Sequence, residues 1–492
     1  MTGNRNYRSD FAVRERERVL EKIALFDRLA DFRETQVGLH DYYASQIQRL
    51  VSSLVRPGAR VLEVGCGFGD LVASLEASKK VGLDLSPRMI EKAKQRHPEL
   101  DLFVADVEND ELPEGPFDAI VLSDVIGYLN DIQLVFERLA PLLAENGRLV
   151  VTYYNFVWEP ILRAAGKIGL RLPVGDQNWL SMKDIETILH LADYEVVRRG
   201  TDVLVPVGVP VVSKVANLVG AKVPVLRESA LVQYFVARHV PAVLPARAPS
   251  VSIICPCRNE KGNIREAVAR TPRMGAATEL IFVDGNSDDG TVEEIEAVIR
   301  EMPVSPAGVE LRLIHQGDGK GKGDAVRKGF AQARYDVLMI LDSDLTVAPE
   351  DLPKFHRALL ADKGEFVNGV RLVYPMEGEA MRFLNLLGNK FFGSALSWLL
   401  EQPIKDSLCG TKVLYKKDYD TIAANRGFFG DFDPFGDFDL LFGAARLNMK
   451  IVDLPVRYRA RRYGDTKISR FSHGWLLLKM TAFGFKKLRL GA

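Results

Sequence analysis

VLEVGCGFGD, residues 61–70, decides how the N-terminal half of the chain is read. An apolar run suited to a buried strand passes directly into Gly65, Gly67 and Gly69. Glycines at such a turn let the chain bend tightly and let a ligand approach the main chain without meeting a Cβ. Asp84 closes the next apolar run, in VGLDLSP, 15 residues after Gly69. A carboxylate at that strand end accepts both hydroxyl hydrogens of a ribose. Asp106, in FVADVE, is a third acceptor, placed to meet an adenine amino group. Glu63 stands two residues before the first glycine, and the spacing is Gly-x-Gly-x-Gly. Dinucleotide sites use Gly-x-Gly-x-x-Gly instead. A ligand without a pyrophosphate has less need of a phosphate-cradling helix start.

Outward from this stretch, strands and helices alternate. RVLEV (60–64), KVGLDL (80–85), FDAIVLSDV (117–125) and GRLVVTYYN (147–155) are apolar runs separated by helical stretches, the rhythm of a mostly parallel sheet. Upstream, Val19, Ile23, Phe26 and Ala30 recur at helical spacing among Arg and Glu, predicting an amphipathic lead-in helix over 14–30. Residues 156–238 give no clear order. HVPAVLPARAPS (239–250), with Pro241, Pro245 and Pro249, reads as a linker. Alternation restarts at VSIICPC (251–257), ELIFVDG (279–285) and DVLMILDSD (336–344). The expected organisation is a domain over 1–238, a linker over 239–250 and a second domain over 251–492, both α/β and without an internal repeat.

Composition narrows the function classes. The chain has 492 residues, 65 Lys+Arg and 65 Asp+Glu, so no global charge argues for nucleic acid as a partner. Cys66, Cys255, Cys257 and Cys409 have neither the number nor the spacing of a disulfide framework or a zinc site. The charged start, MTGNRNYRSDFAVRERERVLEK, lacks the apolar core of a secretory signal. The longest apolar stretch, FLNLLGNKFFGSALSWLL (383–400), is interrupted by Asn385, Asn389 and Lys390, which argues against a membrane span. A reduced, cytoplasmic setting is expected.

Over residues 40–155 the chain resembles the class I S-adenosylmethionine-dependent methyltransferases, a Rossmann-like fold. Glu63, Gly65, Gly67, Asp84 and Asp106 match the family's cofactor positions. The resemblance implies S-adenosylmethionine as cofactor and methyl transfer by in-line displacement. His40, Tyr42, Tyr43, Asp124, Tyr128, Tyr153, Tyr154 and Asn155 gather near the expected place of the methyl group. Methylation of a hydroxyl needs a base near its proton, and the sequence does not single one out.

The second half carries six ordered elements. SIICPCRNEKGNI (252–264) is a strand ending in Pro-x-x-Asn-Glu, and IFVDGNSDDGT (281–291) ends in an acidic, glycine-rich loop. GKGDAVRKGF (321–330) offers a basic turn before a helix, and LMILDSDLT (338–346) ends in Asp-x-Asp. IKDSLCGTKVL (404–414) and RRYGDTKIS (461–469) complete the set. A nucleoside needs acceptors at strand ends, and a diphosphate leaving group needs a divalent cation held by hard oxygens. Asp342 and Asp344, two apart on an extended chain, would face one side. Together these stretches resemble the family 2 inverting glycosyltransferases of GT-A fold, and among them the polyprenyl-phosphate sugar transferases, over residues 250–470. The resemblance implies that Pro256, Asn259, Glu260, Asp284, Lys322 and Asp342 bind a nucleotide-diphosphate sugar. It implies that Asp342 and Asp344 hold Mg²⁺ or Mn²⁺, and that Arg461 and Lys467 bind an acceptor phosphate. Thr466 stands where Ser is usual, and Gly285 where many members carry a second Asp.

In FGDFDPFGDFDLLFGAA (429–445), Asp437 and Asp439 match the position of the family's catalytic base. An ionised phosphate acceptor would need no base; a sugar hydroxyl would. From Arg457 to Arg489 there are ten Lys/Arg and one acid, Asp465. Phe471, Trp475, Leu478, Ala482 and Phe485 share one helical face. Such a basic amphipathic helix either lies on an anionic membrane or packs on its own domain. The expected protein is a bifunctional transferase, peripheral on the cytoplasmic face of a membrane. It would glycosylate a polyprenyl-phosphate or other lipid-linked acceptor and methylate within the same pathway. Alternatives are an N-terminal domain that binds S-adenosylmethionine without catalysis, and a membrane-docked scaffold.

Overall fold

The run around VLEV forms strand β1 (Ala59–Val64), buried at every residue except half-buried Arg60. A strand covered on both faces reads as a continuous apolar run rather than an alternation. β1 belongs to a seven-stranded sheet with β2 (Ala77–Asp84), β3 (Asp101–Val104), β4 (Phe117–Ser123), β5 (Leu143–Tyr154), β6 (Tyr194–Asp202) and β7 (Val232–His239). The order is β3-β2-β1-β4-β5-β7-β6. β1 to β5 run parallel, and the order reverses between β1 and β4, where open α/β sheets leave a ligand crevice. The mostly parallel expectation needs one correction: β7 inserts antiparallel between β5 and β6. The ambiguous stretch 156–238 thus holds two strands and the helix Met182–Leu191, whose start is fixed by a capping box of Ser181 and Asp184.

These features come from a computed structural model that describes residues 17, 19–31, 41–167, 177–206, 213, 217, 229–319, 321–374, 383–426, 438–459, 463 and 478–485. The chain divides into two units that part between Ala242 and Val243.

The second unit has its own seven-stranded mixed sheet: β8 (Val251–Cys257), β9 (Thr278–Asp284), β10 (Glu310–His315), β11 (Val337–Ile340), β12 (Phe366–Val370), β13 (Lys412–Tyr415) and β14 (Ile451–Pro455). Its order is β10-β9-β8-β11-β13-β12-β14. β8, β9, β10 and β11 run parallel, while β13 is antiparallel to β11 and β12. Here the crevice falls between β8 and β11. One face of the sheet is covered by Phe330 from helix Gly321–Gln332, Leu396 from helix Phe383–Leu400 and Leu441 from helix Phe438–Arg446.

Helical residues 478–485 belong to this core. Met480 is 1% exposed, Phe483 and Phe485 pack against the cluster, and Gly484 lies on Phe442 and Leu399. Of the apolar face read from sequence, Leu478 and Ala482 are exposed while Phe485 packs inward; Phe471 and Trp475 lie outside the described residues. The missing side chain at Gly484 permits the close approach to Phe442 and Leu399. Among the described residues no helix is long and apolar enough to cross a membrane.

Candidate active sites

In the first unit the glycine turn leaves β1 with Gly65, Gly67 and Gly69 at φ 72°, 53° and 77°, backbone that favours glycine. A Cβ on Gly65 would lie 2.6 Å from Cγ2 of Val125, so the loop after β4 rests on the turn. Glu63 is buried behind it, and its carboxylate accepts the N–H of Val72 at 3.0 Å. Burial pushes this carboxyl well above the ordinary range. Glu63 therefore braces the helix Asp70–Ser74 that the turn opens. Asp84 ties two loops together, accepting from the N–H of Gly67 and of Ser86, both at 2.9 Å. Each carboxylate oxygen has a second lone-pair direction for a ribose hydroxyl. Asp106 accepts from Glu108 N at 2.9 Å and from Asn109 Nδ2 at 2.7 Å.

The lead-in helix supplies a part that the motif reading missed. Ser86 donates its hydroxyl hydrogen to Asp27 at 2.5 Å, and Leu29 and Ala30 bury Phe68 of the glycine turn. Asp27 thereby fixes the residue beside Asp84. The capping pattern Ser-Pro at 86–87 was the available signal.

The expected methyl-acceptor cluster separates into packing residues and one pair. Tyr153 is fully buried and donates to the carbonyl of Asn178 at 2.7 Å. Asn155 donates to the carbonyl of Ala230 and accepts from Val157 N. Tyr42 accepts from Asn217 at 3.2 Å, and Tyr128 meets Phe26 edge-on. Tyr43 donates to Oδ2 of Asp124 at 2.8 Å, with the ring of Tyr154 beside it. His40 lies outside the described residues.

In the second unit the expected residues arrive from successive strand ends. Pro256 is in β8. Asn259, at φ 55°, exchanges hydrogen bonds with the β9 loop: its N–H donates to Ser287 Oγ, and its side chain pairs with Asp288. Glu260 is buried, receives Asn263 Nδ2 at 2.7 Å, and its N–H donates to Thr291. Asp284 accepts from Asn286 N at 3.0 Å and Ser287 Oγ at 2.5 Å. Lys322, near the start of helix Gly321–Gln332, meets Asp342 at 2.6 Å. Burial opposes ionisation of Asp342, but Lys322, Arg371 and Lys412 outweigh it and hold the carboxyl below its usual range.

Asp342 and Asp344 stand in a turn beyond β11 rather than on extended strand, since Leu345 N bonds back to Asp342 O and Leu345 has φ 52°. Strand alternation is therefore not what groups them. Asp344 receives Thr346 N and Thr346 Oγ1 on Oδ1. Both carboxylates still belong to one short loop, and hard oxygen donors of this kind suit Mg²⁺ or Mn²⁺ completed by phosphate oxygens. Among the described residues no group of three His, Cys, Asp or Glu is placed to hold a metal by itself.

Asp-Ser-Leu-Cys-Gly-Thr-Lys (406–412) is the floor of this site. A Cβ on Gly410 would overlap Asp342 Oδ2 and Lys322 Nζ, so only glycine lets this backbone lie against the pair. Asp406 grips Arg371 through two parallel bonds of 2.7 and 2.8 Å. Asn368 joins Asp406 to Asp453, and buried Lys412 donates to the carbonyl of Cys409. Breaking one partner of such a buried pair costs about 3–5 kcal/mol. The sequence offered the signature but not Arg371, Asn368 and Asp453, which come from β12, its following turn and β14. Beyond β14, Arg459 N bonds to Thr346 O, and the ring of Tyr463 covers Gly262. Tyr463 itself thus lies against the loop that follows Asn259 and Glu260. Arg461 and Lys467 themselves, and Asp437, lie outside the described residues.

Asp439 takes a different position from the rest. It faces Arg327 at 3.3 Å and Arg426 at 3.5 Å in a cavity of about 170 Å³ that Tyr419 and Arg446 also line.

Two family patterns match. Glycosyl transferase family 2 matches residues 252–422, and a methyltransferase domain matches residues 36–199. Dolichol-phosphate mannosyltransferase of Saccharomyces cerevisiae is 39% identical over 113 residues, 22% of this chain and 40% of the yeast protein. The Pyrococcus furiosus protein of the same name is 28% identical over 226 residues, 44% of this chain and 59% of its own. Undecaprenyl-phosphate 4-deoxy-4-formamido-L-arabinose transferase of Shewanella sediminis is 33% identical over 107 residues, 21% of this chain and 31% of its own. The chain thus spans between 31% and 59% of these relatives' lengths. It carries an N-terminal methyltransferase domain, whose fold implies S-adenosylmethionine, and a C-terminal GT-A-like family 2 glycosyltransferase domain related to the dolichol-phosphate mannosyltransferases and polyprenyl-phosphate sugar transferases.

Proposed function

We propose that the C-terminal domain transfers a hexose from a nucleotide-diphosphate sugar to a polyprenyl-phosphate or other lipid-linked acceptor, and that the N-terminal domain methylates a compound of the same glycan pathway. The observation that carries the first part is the meeting of Lys322, Asp342 and Gly410 at the β8–β11 crevice, with Asp344 one turn away. Asp342 and Asp344 would hold Mg²⁺ or Mn²⁺, which offsets charge on the departing diphosphate. Asn259, Glu260 and Asp284 border the nucleoside end of the crevice. Lys322 holds Asp342 ionised and brings its own charge to the diphosphate.

A phosphate acceptor suits Asp439. Two guanidinium groups face its Oδ2, which favours an ion-pairing role over that of a base, and an ionised phosphate needs no base. Arg461 and Lys467 are the proposed acceptor-phosphate ligands, on the resemblance of RRYGDTKIS to the family's segment.

The membrane side is proposed at Phe391 and Trp398. These aromatic residues are 58% and 62% exposed on one face of helix Phe383–Leu400, and Trp398 stacks on Phe485. Exposed aromatics beside a basic terminal segment fit a peripheral attachment to anionic lipid. The deciding experiment is equilibrium binding of a nucleotide-sugar panel with and without Mg²⁺ or Mn²⁺, followed by transfer of labelled sugar to polyprenyl phosphate. Metal-independent transfer, or transfer to free sugars alone, overturns this reading.

A further inference from the structure

We propose that Asp124 is the proton acceptor of methyl transfer, facing the methyl group to be moved, with Tyr43 as the positioning residue that holds its carboxylate. The inference rests on the N-terminal domain using S-adenosylmethionine and adds the residue that its fold leaves unspecified.

The argument begins with four neighbouring strand ends. In the order β3-β2-β1-β4, Asp106 follows β3, Asp84 ends β2, Gly65 follows β1 and Asp124 follows β4. Adjacent strands are about 4.8 Å apart, so three spacings carry a ligand across about 14 Å. Adenine at Asp106 and ribose at Asp84 direct the rest of the cofactor over the glycine turn toward β4. The sulfonium centre then arrives beside the loop that begins with Asp124. Val125, the next residue, is the one that touches Gly65.

Asp124 itself is held in an uncommon conformation, φ 57°. Left-handed backbone at a non-glycine residue tends to persist where surrounding structure enforces it, often at active sites. Its N–H is fixed by Thr152 O at 3.0 Å, and Oδ2 is fixed by the Tyr43 hydroxyl at 2.8 Å. Burial, with Asp124 and Tyr154 adding to it, pushes the Tyr43 phenol well above its usual range, so the phenol remains a donor. A phenol that keeps its proton orients the carboxylate without taking the proton that the carboxylate is to receive. Two other polar members of the cluster spend their groups elsewhere, Tyr153 on Asn178 and Asn155 on Ala230.

The step balances as follows. A lone pair on the acceptor oxygen or nitrogen forms the new bond to the methyl carbon. The carbon–sulfur bond breaks, with its electron pair going to sulfur, which becomes the neutral thioether of S-adenosylhomocysteine. The acceptor's proton passes to Asp124 and later to water. A carboxylate also suits the positive charge of the sulfonium group before transfer.

The test needs no acceptor. Sinefungin carries an amine where the cofactor carries its transferable methyl, so a carboxylate facing that point pairs with the amine. Calorimetry on the full chain should find sinefungin bound at least about tenfold tighter than S-adenosylhomocysteine. Asp124→Asn should erase that preference while leaving S-adenosylhomocysteine affinity within about threefold, which also certifies the fold. Tyr43→Phe should reduce the preference partway, again without changing S-adenosylhomocysteine affinity. Equal weakening of both ligands in Asp124→Asn would make Asp124 a cofactor anchor and overturn the proposal. An unchanged ratio would show that its carboxylate points elsewhere. Failure of the unsubstituted chain to bind either ligand would instead remove the cofactor reading on which the proposal stands.

Discussion

The two crevices differ in what some of their carboxylates face. In the first unit Glu63, Asp84 and Asp106 accept nearby backbone N–H groups. In the second, Asp284 and Asp344 do the same, but Asp342 and Asp406 face Lys322 and Arg371. The difference fits the ligands proposed for the two crevices. A sulfonium cofactor brings its own positive charge and needs hydroxyl acceptors, so acids braced by amides serve it. A sugar diphosphate brings negative charge, so its crevice must combine fixed cations with acids that recruit a metal. Each unit thus opens a crevice where its strand order reverses, and the two crevices differ in what their acids face.

The sharpest way to break this contrast is to remove a C-terminal acid. Asp344→Ala should reduce sugar transfer by at least about 100-fold, the usual cost of losing one stabiliser of a leaving group's charge. S-adenosylmethionine affinity should not move. Gly410→Ala should be nearly as damaging, because its Cβ would overlap Asp342 and Lys322. Labelled-donor transfer beside calorimetry for the cofactor checks both; a joint loss in both domains would deny that the sites are separable.

The reciprocal change is Asp84→Ala. It removes two loop braces at 2.9 Å and the ribose acceptor. Hydrogen bonds to a charged group contribute about 1.5–3 kcal/mol each, so cofactor affinity should fall by roughly 100-fold or more. Nucleotide-sugar affinity should stay as it was. Undiminished cofactor binding would take Asp84 out of the site.

How much of this was legible depended on how local the signal was. The glycine turn, Asp84, the Asn259–Glu260 pair and Asp-x-Asp sit at strand ends, where one short window contains both the apolar run and the acid that follows. β7 was not legible. Its buried positions include Gln233, whose amide donates to the carbonyls of Tyr154 and Leu180, so a central strand looked polar. Arg371 and Asp453 were equally invisible: Arg371 pairs with Asp406 in a distant loop, and Asp453 meets Asn368 only because β12 and β14 lie side by side. Asp27 escaped because its partner Ser86 is 59 residues away.

The C-terminal helix separates packing from membrane attachment. Ending the chain near Arg470 should lower the melting temperature of the second unit, since Met480 alone contributes about 2–5 kcal/mol by the usual cost of emptying a buried site. Phe391→Asp and Trp398→Asp should leave the melting temperature nearly unchanged. Each should weaken co-sedimentation with anionic liposomes by roughly tenfold, as about 1.5–3 kcal/mol accompanies burial of a large apolar side chain. That binding should also weaken as salt rises, with screening over about 8–10 Å. Liposome binding indifferent to both substitutions and to salt would remove the membrane face from helix Phe383–Leu400.

The smallest effect tests the floor of the sugar crevice through pH. Burial raises the Asp453 carboxyl to about 7, against the pull of Asn368 Nδ2 and Lys405 N–H, and Asp406 adds to the rise. An unfolded Asp titrates near about 3.9. The folded chain therefore binds this proton more tightly than the unfolded chain. The resulting stabilisation is fully present below about pH 4, is lost as pH rises toward 7, and changes no further above that. Asp453→Asn cannot titrate. It also loses one acceptor oxygen, since Asn368 Nδ2 and Lys405 N–H each use a different oxygen of Asp453, so the variant should be less stable than the unsubstituted protein at pH 5. The gap between them should narrow as pH approaches 7 and then level off. A single proton keeps the slope under about 1.4 kcal/mol per pH unit, and the partial exposure of Asp453 lowers the total effect. Denaturant melts of both proteins from pH 5 to 8.5 measure that gap. A gap constant over the range would mean that Asp453 is ionised throughout in the folded state, stabilised by Lys412, and that the acids beneath the sugar crevice all face cations.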